Sequence, residues 1–97
     1  MSAETKIEIE GSCDIHSVSQ RRADLIEALR GGDDVHIDAE RAEYLDLAFV
    51  QLLIAATKSA AAARKRLRFV RVSQAFRDAF ARTGLKLSET QDQIVLP

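Results

Sequence analysis

Few residues of this 97-residue chain have the type and spacing to do chemistry. Its two histidines, His16 and His36, are the side chains best suited to proton transfer or metal binding near neutral pH. No third ligand stands at metal-ligand spacing from either, and no acid–base partner lies beside them in sequence, so neither a metal pair nor a phospho-accepting pair is expected. Cys13 is the one cysteine. A lone cysteine builds neither a disulfide framework nor a zinc site, and the expectation is a buried, inert thiol in a reducing compartment. The run RKRLRFVR gathers Arg64, Lys65, Arg66, Arg68 and Arg71. Nucleic-acid binding would need aromatic platforms or a wider basic field. A solvated helix end and strand edge, able to meet an acidic partner, is the better reading.

That leaves Asp46, in EYLDLAFVQLLIAA, as the polar residue most in need of explanation. It stands where a strand gives way to a helix that is apolar nearly all round. An aspartate there is a good N-cap, because its side chain accepts one of the orphan backbone N–H groups of the first turn. A contact with a partner is a second role, compatible with the first.

The elements that position these residues follow from the periodicity. KIEIEG alternates strictly, with Ile7 and Ile9 on one side and Glu8 and Glu10 on the other, which predicts a half-buried strand ending at Gly11, with SCDIHS either continuing the sheet or forming a loop. From Val18 the period lengthens, and Val18, Leu25, Ile26 and Leu29 share a helical face that Gly31 and Gly32 terminate. Val35 and Ile37 mark a short strand. Ala39 to Leu45 reads as a connection with a helical turn. A helix then runs from Asp46 to about Lys65, with Leu47, Val50 and Ile54 on one face and Phe49, Leu52, Leu53 and Ala56 beside them. Its second half is alanine-rich with basic residues at the end, which suits helix propensity and dipole alike. LRFVRV predicts a strand with Leu67, Phe69 and Arg71 on one side and Arg68, Val70 and Val72 on the other. Ser73 caps a helix whose stripe is Phe76, Ala79 and Phe80, with Gly84 after it. One last strand is expected over 93–96. Alternation of this kind predicts a sheet with helices packed on it.

Composition sets the outer limits. Apolar residues make up 46% and charged residues 30%, ordinary values for one globular domain spanning 1–97. A net charge of −1 argues against a dedicated binder of nucleic acid or of a membrane surface. The apolar runs are too short to span a bilayer, and the polar start, Met1 to Thr5, lacks a secretory pattern. The expectation is a cytoplasmic protein. With no nucleophile–base set, metal cluster or Gly-rich phosphate loop, no enzyme activity and no cofactor are expected.

Four stretches together resemble the STAS domain family, the group of anti-sigma factor antagonists and of the cytoplasmic tails of sulfate transporters. DIHSVSQRRADLIEAL resembles the family's first helix, DVHIDAERAEYLD the strand before its central turn, LDLAFVQLLIAATKSA the helix after that turn, and LRFVRVSQAFRDAFARTGL the closing strand and serine-capped helix. The resemblance implies a STAS-like α/β domain: a mixed sheet of four or five strands with helices mainly on one face. In phosphorylated members the turn reads Asp-Ser-Ser-Gly or Asp-Thr-Ser-Gly. Here Asp46 matches the aspartate, Leu47 and Ala48 occupy the two hydroxyl positions, and Phe49 occupies the glycine. No phospho-acceptor remains in the turn.

The resemblance further implies a protein partner docking at the start of this helix, on Tyr44, Asp46, Ala48, Phe49 and Gln51. The helix period puts Ala48, Gln51 and Ala55 on one side, expected to be exposed. The run FVQLLIAATKSA is similar to stand-alone STAS proteins of bacterial chemotaxis gene clusters, which makes a chemotaxis histidine kinase the expected partner. The alternatives are an anti-sigma factor antagonist of a partner-switching system, whose partner is an anti-sigma factor or serine kinase, and an accessory subunit of a lipid or anion transporter.

Overall fold

A computed structural model describes residues 4–31, 34–88 and 93–95. The chain folds as β1 (Glu4–Cys13), α1 (Ile15–Gly31), β2 (Asp34–Leu45), α2 (Leu47–Ala62), β3 (Arg66–Val72), α3 (Gln74–Ala81), β4 (Lys86–Leu87) and β5 (Ile94–Val95). β1, β2 and β3 form a parallel sheet in that order, and β4 pairs antiparallel with β5 in a small separate ladder. The five strands are thus shared between two sheets. Gly32 and Leu96, which the sequence reading placed in a turn and a strand, lie outside the described residues.

Alternation decides which side of the parallel sheet is covered. Ile9, Val35, Ile37, Leu67 and Phe69 are buried under the helices. The other side is charged: Lys6, Glu8 and Glu10 are exposed on β1, and Asp38 and Arg71 meet across β2 and β3. A parallel sheet is ordinarily covered on both faces. Here charge and ion pairing stand in for a second helical layer.

The α3 side of the core is aromatic. The Phe69 ring centroid lies 5.0 Å from that of Phe76 and 6.3 Å from that of Phe80, in tilted arrangements that suit the ring quadrupoles. Ser73 caps α3 as expected, its Oγ accepting the Phe76 N–H at 3.1 Å. The same hydroxyl donates to the Ala42 carbonyl at 2.7 Å, fixing the helix start to β2.

Several expectations are corrected. β1 does not stop at Gly11 but continues to Cys13, α1 starts at Ile15 rather than Val18, and α2 ends at Ala62. The segment 39–45 is strand, not a connection with a helical turn. Two register shifts against β1 interrupt its pleat, so Ala39, Ala42 and Leu45 are buried at a spacing of three. Bulges of this kind break the two-residue alternation by which a strand is recognised. A third shift, against β3, sets Asp38 opposite Arg71 rather than Val70. Val70 is 44% exposed, as its side of the strand implied, but beyond the shift the alternation inverts and Val72 packs on the core it was expected to face away from. Ile26 is also 44% exposed, not part of the buried face of α1.

Candidate functional site

The three β–α connections of the parallel sheet are each one residue long, and each residue can cap: Asp14, Asp46 and Ser73. All three helices therefore begin at the carboxyl edge of the sheet. This edge is where α/β folds usually present ligands, because helix N-termini and short turns converge there.

Asp46 is anchored on both sides of its turn. Its backbone is extended, φ −86° and ψ 172°, and its Oδ1 accepts the Phe49 N–H at 3.0 Å. Its own N–H donates to the Cys13 carbonyl at 3.1 Å, which ties the turn to the end of β1. The carbonyl of Asp46 accepts from Val50 at 3.1 Å and opens the helical ladder. The N-cap reading of Asp46 therefore holds in full.

Around this cap the residues expected to meet a partner separate into two groups. Tyr44 is 51% exposed, Gln51 is exposed, and Asp46 and Ala48 are half-buried. Phe49 is fully buried, and its place in the expected contact surface is corrected: it is the third residue of α2 and turns under the helix into the core. Leu47, which the apolar pattern placed on an inner face, is 62% exposed. An apolar tyrosine–leucine pair thus flanks the cap on its solvent side. The signal for Leu47 was present in its position: the first residue of a helix that starts at a sheet edge projects beyond the sheet. The uninterrupted apolar run hid it.

The remaining candidates are dispersed. His16 stands at the start of α1, by the carboxyl end of β1, and its N–H donates to Asp14 Oδ1 at 3.0 Å. His36 pairs with Lys6 near the opposite end of the sheet. Among the described residues no cluster of three metal-ligating side chains occurs. Cys13 is buried, and burial pushes its thiol pKa up, away from the thiolate form that reactivity requires. Thr57 is buried too, its hydroxyl donating to the Leu53 carbonyl at 2.9 Å.

One polar cluster was not foreseen. Asp38 Oδ2 lies 2.6 Å from Arg71 Nη2 and 3.7 Å from Lys6 Nζ, while Asp38 Oδ1 accepts the Glu40 N–H at 3.1 Å. Arg71 also reaches Glu40 Oε2 at 3.3 Å. The Glu40 N–H, Arg71 and Lys6 hold the Asp38 carboxyl below its usual pKa. With Glu8 opposite Asp38 on β1, this row crosses the uncovered face of the sheet. It is consistent with a structural role in pinning strand register, since no described side chain of the row is left with an unmet buried polar atom.

The geometry describes a small α/β domain that presents a capped helix start flanked by exposed apolar side chains. The chain belongs to the STAS family: a family model described as "Mlab, STAS domain" matches residues 1–94. Among solved structures it is similar to the anti-sigma factor antagonist SpoIIAA in its unphosphorylated form, with TM-score 0.71 and 25% identity over 84% of this chain and 72% of that one. It is likewise similar to the Bacillus cell fate determinant SpoIIAA in the phosphorylated form, with TM-score 0.69 and 25% identity over 84% of this chain and 75% of that one. A search of curated proteins gives no match. Among the described residues no helix is long and apolar enough to cross a membrane.

Proposed function

We infer that this chain is a non-catalytic binding module of a bacterial signalling system. Its protein partner docks on the solvent side of the first turns of α2, at Tyr44, Asp46, Ala48 and Gln51, with Leu47 added to the surface. The observation that carries the reading is the exposure of Tyr44 and Leu47 on either side of a well-made cap. Large apolar side chains left in water beside a rigid helix start are the usual anchors of a protein interface. The turn has no hydroxyl at 47 or 48, so docking is governed by partner concentration and not by phosphate at that turn.

The likeness to SpoIIAA favours a partner of the anti-sigma factor kind. A chemotaxis histidine kinase is the second reading, carried by the run FVQLLIAATKSA. Under either reading the protein works in the cytoplasm and needs no cofactor.

A charge at the surface tests the site. Ala48→Glu and Leu47→Glu both put a carboxylate in the first turn, where the helix dipole favours it, so folding should be retained. In the complex the same carboxylate would be buried unpaired. Partner captured from host lysate by the parent protein should bind either variant about tenfold more weakly, roughly 1.4 kcal/mol, with urea melts close to the parent's. Folded variants that bind the captured partner as the parent does would move the interface elsewhere.

A further inference from the structure

On the helical side of the molecule, away from the cap, α1 and α2 leave a groove of about 450 Å³ between them. Leu25, Leu29 and Leu52 contribute to its floor, and Ala55 keeps the α2 side shallow. Ile26 stands in it with 44% of its surface in water. The charged residues that line it are all cations: Arg22 and Arg30 on α1 and Lys65 beyond the end of α2. Lys65 is committed to the fold, since its ammonium donates to the Leu29 carbonyl and closes one end of the groove. Arg22 and Arg30 form no ion pair with any described residue. They bracket Ile26 at helical spacing, one turn before it and one turn after.

We propose that this groove receives an acidic amphipathic helix of a protein partner. The apolar floor would take its leucine-type face, and Arg22 and Arg30 would pair with carboxylates on its flanks. The spacing of the two arginines selects this occupant over a single anionic amphiphile such as a fatty acid. They stand about 12 Å apart along the axis of α1, at a rise of about 1.5 Å per residue. One carboxylate headgroup cannot meet both, whereas acids two turns apart on a helix can. Two packed helices also offer ridges and grooves that a third helix fits, and helix-in-groove binding reads an apolar stripe with charged edges in this way. Small residues at the α2 rim, Ala55 and Ser59, allow close approach. This surface is separate from the α2 start, and the proposal does not depend on docking there.

The test uses the whole chain and two synthetic amphipathic helices of about five turns, with leucines on one face and either glutamates or lysines on the flanks. Binding is followed by amide chemical shifts and by fluorescence anisotropy. The acidic peptide should shift residues 22–30 and 52–59, and the basic twin should bind about tenfold more weakly. Ile26→Glu, at an exposed position, should remove binding of the acidic peptide while leaving the melt unchanged. The double reversal Arg22→Glu with Arg30→Glu should exchange the preference, so that the basic twin binds better than the acidic peptide. That gain excludes a trivial folding defect. Ala48→Glu should leave peptide binding as it is, so failure at the groove and failure at the α2 start are separately visible. Shifts confined to other residues, no exchange of preference in the double variant, or laurate producing the same shifts and displacing the peptide would each overturn the proposal.

Discussion

At Asp46 two jobs fall on one residue. The backbone N–H is spent on Cys13, which holds the end of β2 beside the end of β1, while the side chain satisfies the Phe49 N–H and starts α2. Asp46→Ala removes only the second of these. The expected cost is about 1 kcal/mol, as for other N-caps, read as a lower urea midpoint with an unchanged slope. An unchanged midpoint would remove the cap as a source of stability. If Asp46 also touches the partner, affinity measured on the folded fraction should fall by more than the melt explains. Phe49 is placed by the helix and not by its own neighbours. It sits three residues from Asp46 and shares its turn, yet the helix rotation carries it fully into the core.

Among the elements, β2 does most to set the geometry. Its register shifts bend a twelve-residue strand so that Ala39, Ala42 and Leu45 reach the core, and they bring Asp38 against Arg71. The Asp38 pKa is depressed in the folded chain, chiefly by the Glu40 N–H and then by Arg71 and Lys6. The unfolded chain therefore binds a proton at higher pH than the native one. Stability from this group is fully present above the ordinary carboxylate range and is lost as pH falls through the depressed native value. Urea melts from pH 7 down to about 2 should show the parent losing stability below about pH 4. Asp38→Asn keeps the acceptor for Glu40 and removes the titration. It should be the less stable protein at pH 7, with the gap narrowing toward zero at the acid end. A gap that stays constant with pH would mean that the ion pair contributes nothing. The magnitude is modest in either case, because Arg71 is 55% exposed and solvent screens the pair.

For the molecule as a whole, topology places three helix starts along one edge and a charged sheet face on the opposite side from the helices. The phosphorylated state known for SpoIIAA requires an acceptor, and in this chain the serine and threonine hydroxyls of α2 lie away from the turn. Thr57 is buried and bonded to the Leu53 carbonyl, and Ser59 lies on the fourth turn, away from the cap. Incubation with host lysate and labelled ATP, followed by peptide mapping, should therefore find no stoichiometric phosphate on residues 43–59. Stoichiometric label on Ser59 would restore a switch at a different place on the same helix.

Whatever local rules control is legible in the chain alone. Strict alternation in KIEIEG, the stripe Phe76, Ala79 and Phe80, and the capping residues Asp46 and Ser73 are each readable because one period or one side chain decides the outcome. The missing hydroxyl at Leu47 and Ala48 is likewise a fact of composition at a matched position. Where a neighbouring strand or helix overrides the local period, the outcome emerges only in the fold. The second half of β2 repeats every three residues because pairing with β1 forces bulges into it, so its strand character is invisible in isolation. Arg71 turns toward Asp38 because β3 slips by one residue against β2. In α2, apolar residues reach every side, so the weak signal of Gln51 and Lys58 on the Leu47 face is outweighed, and that Phe49 faces in and Leu47 faces out is not legible from the pattern. That choice comes from the direction in which α2 leaves Asp46 and from the sheet and helices that then close around it.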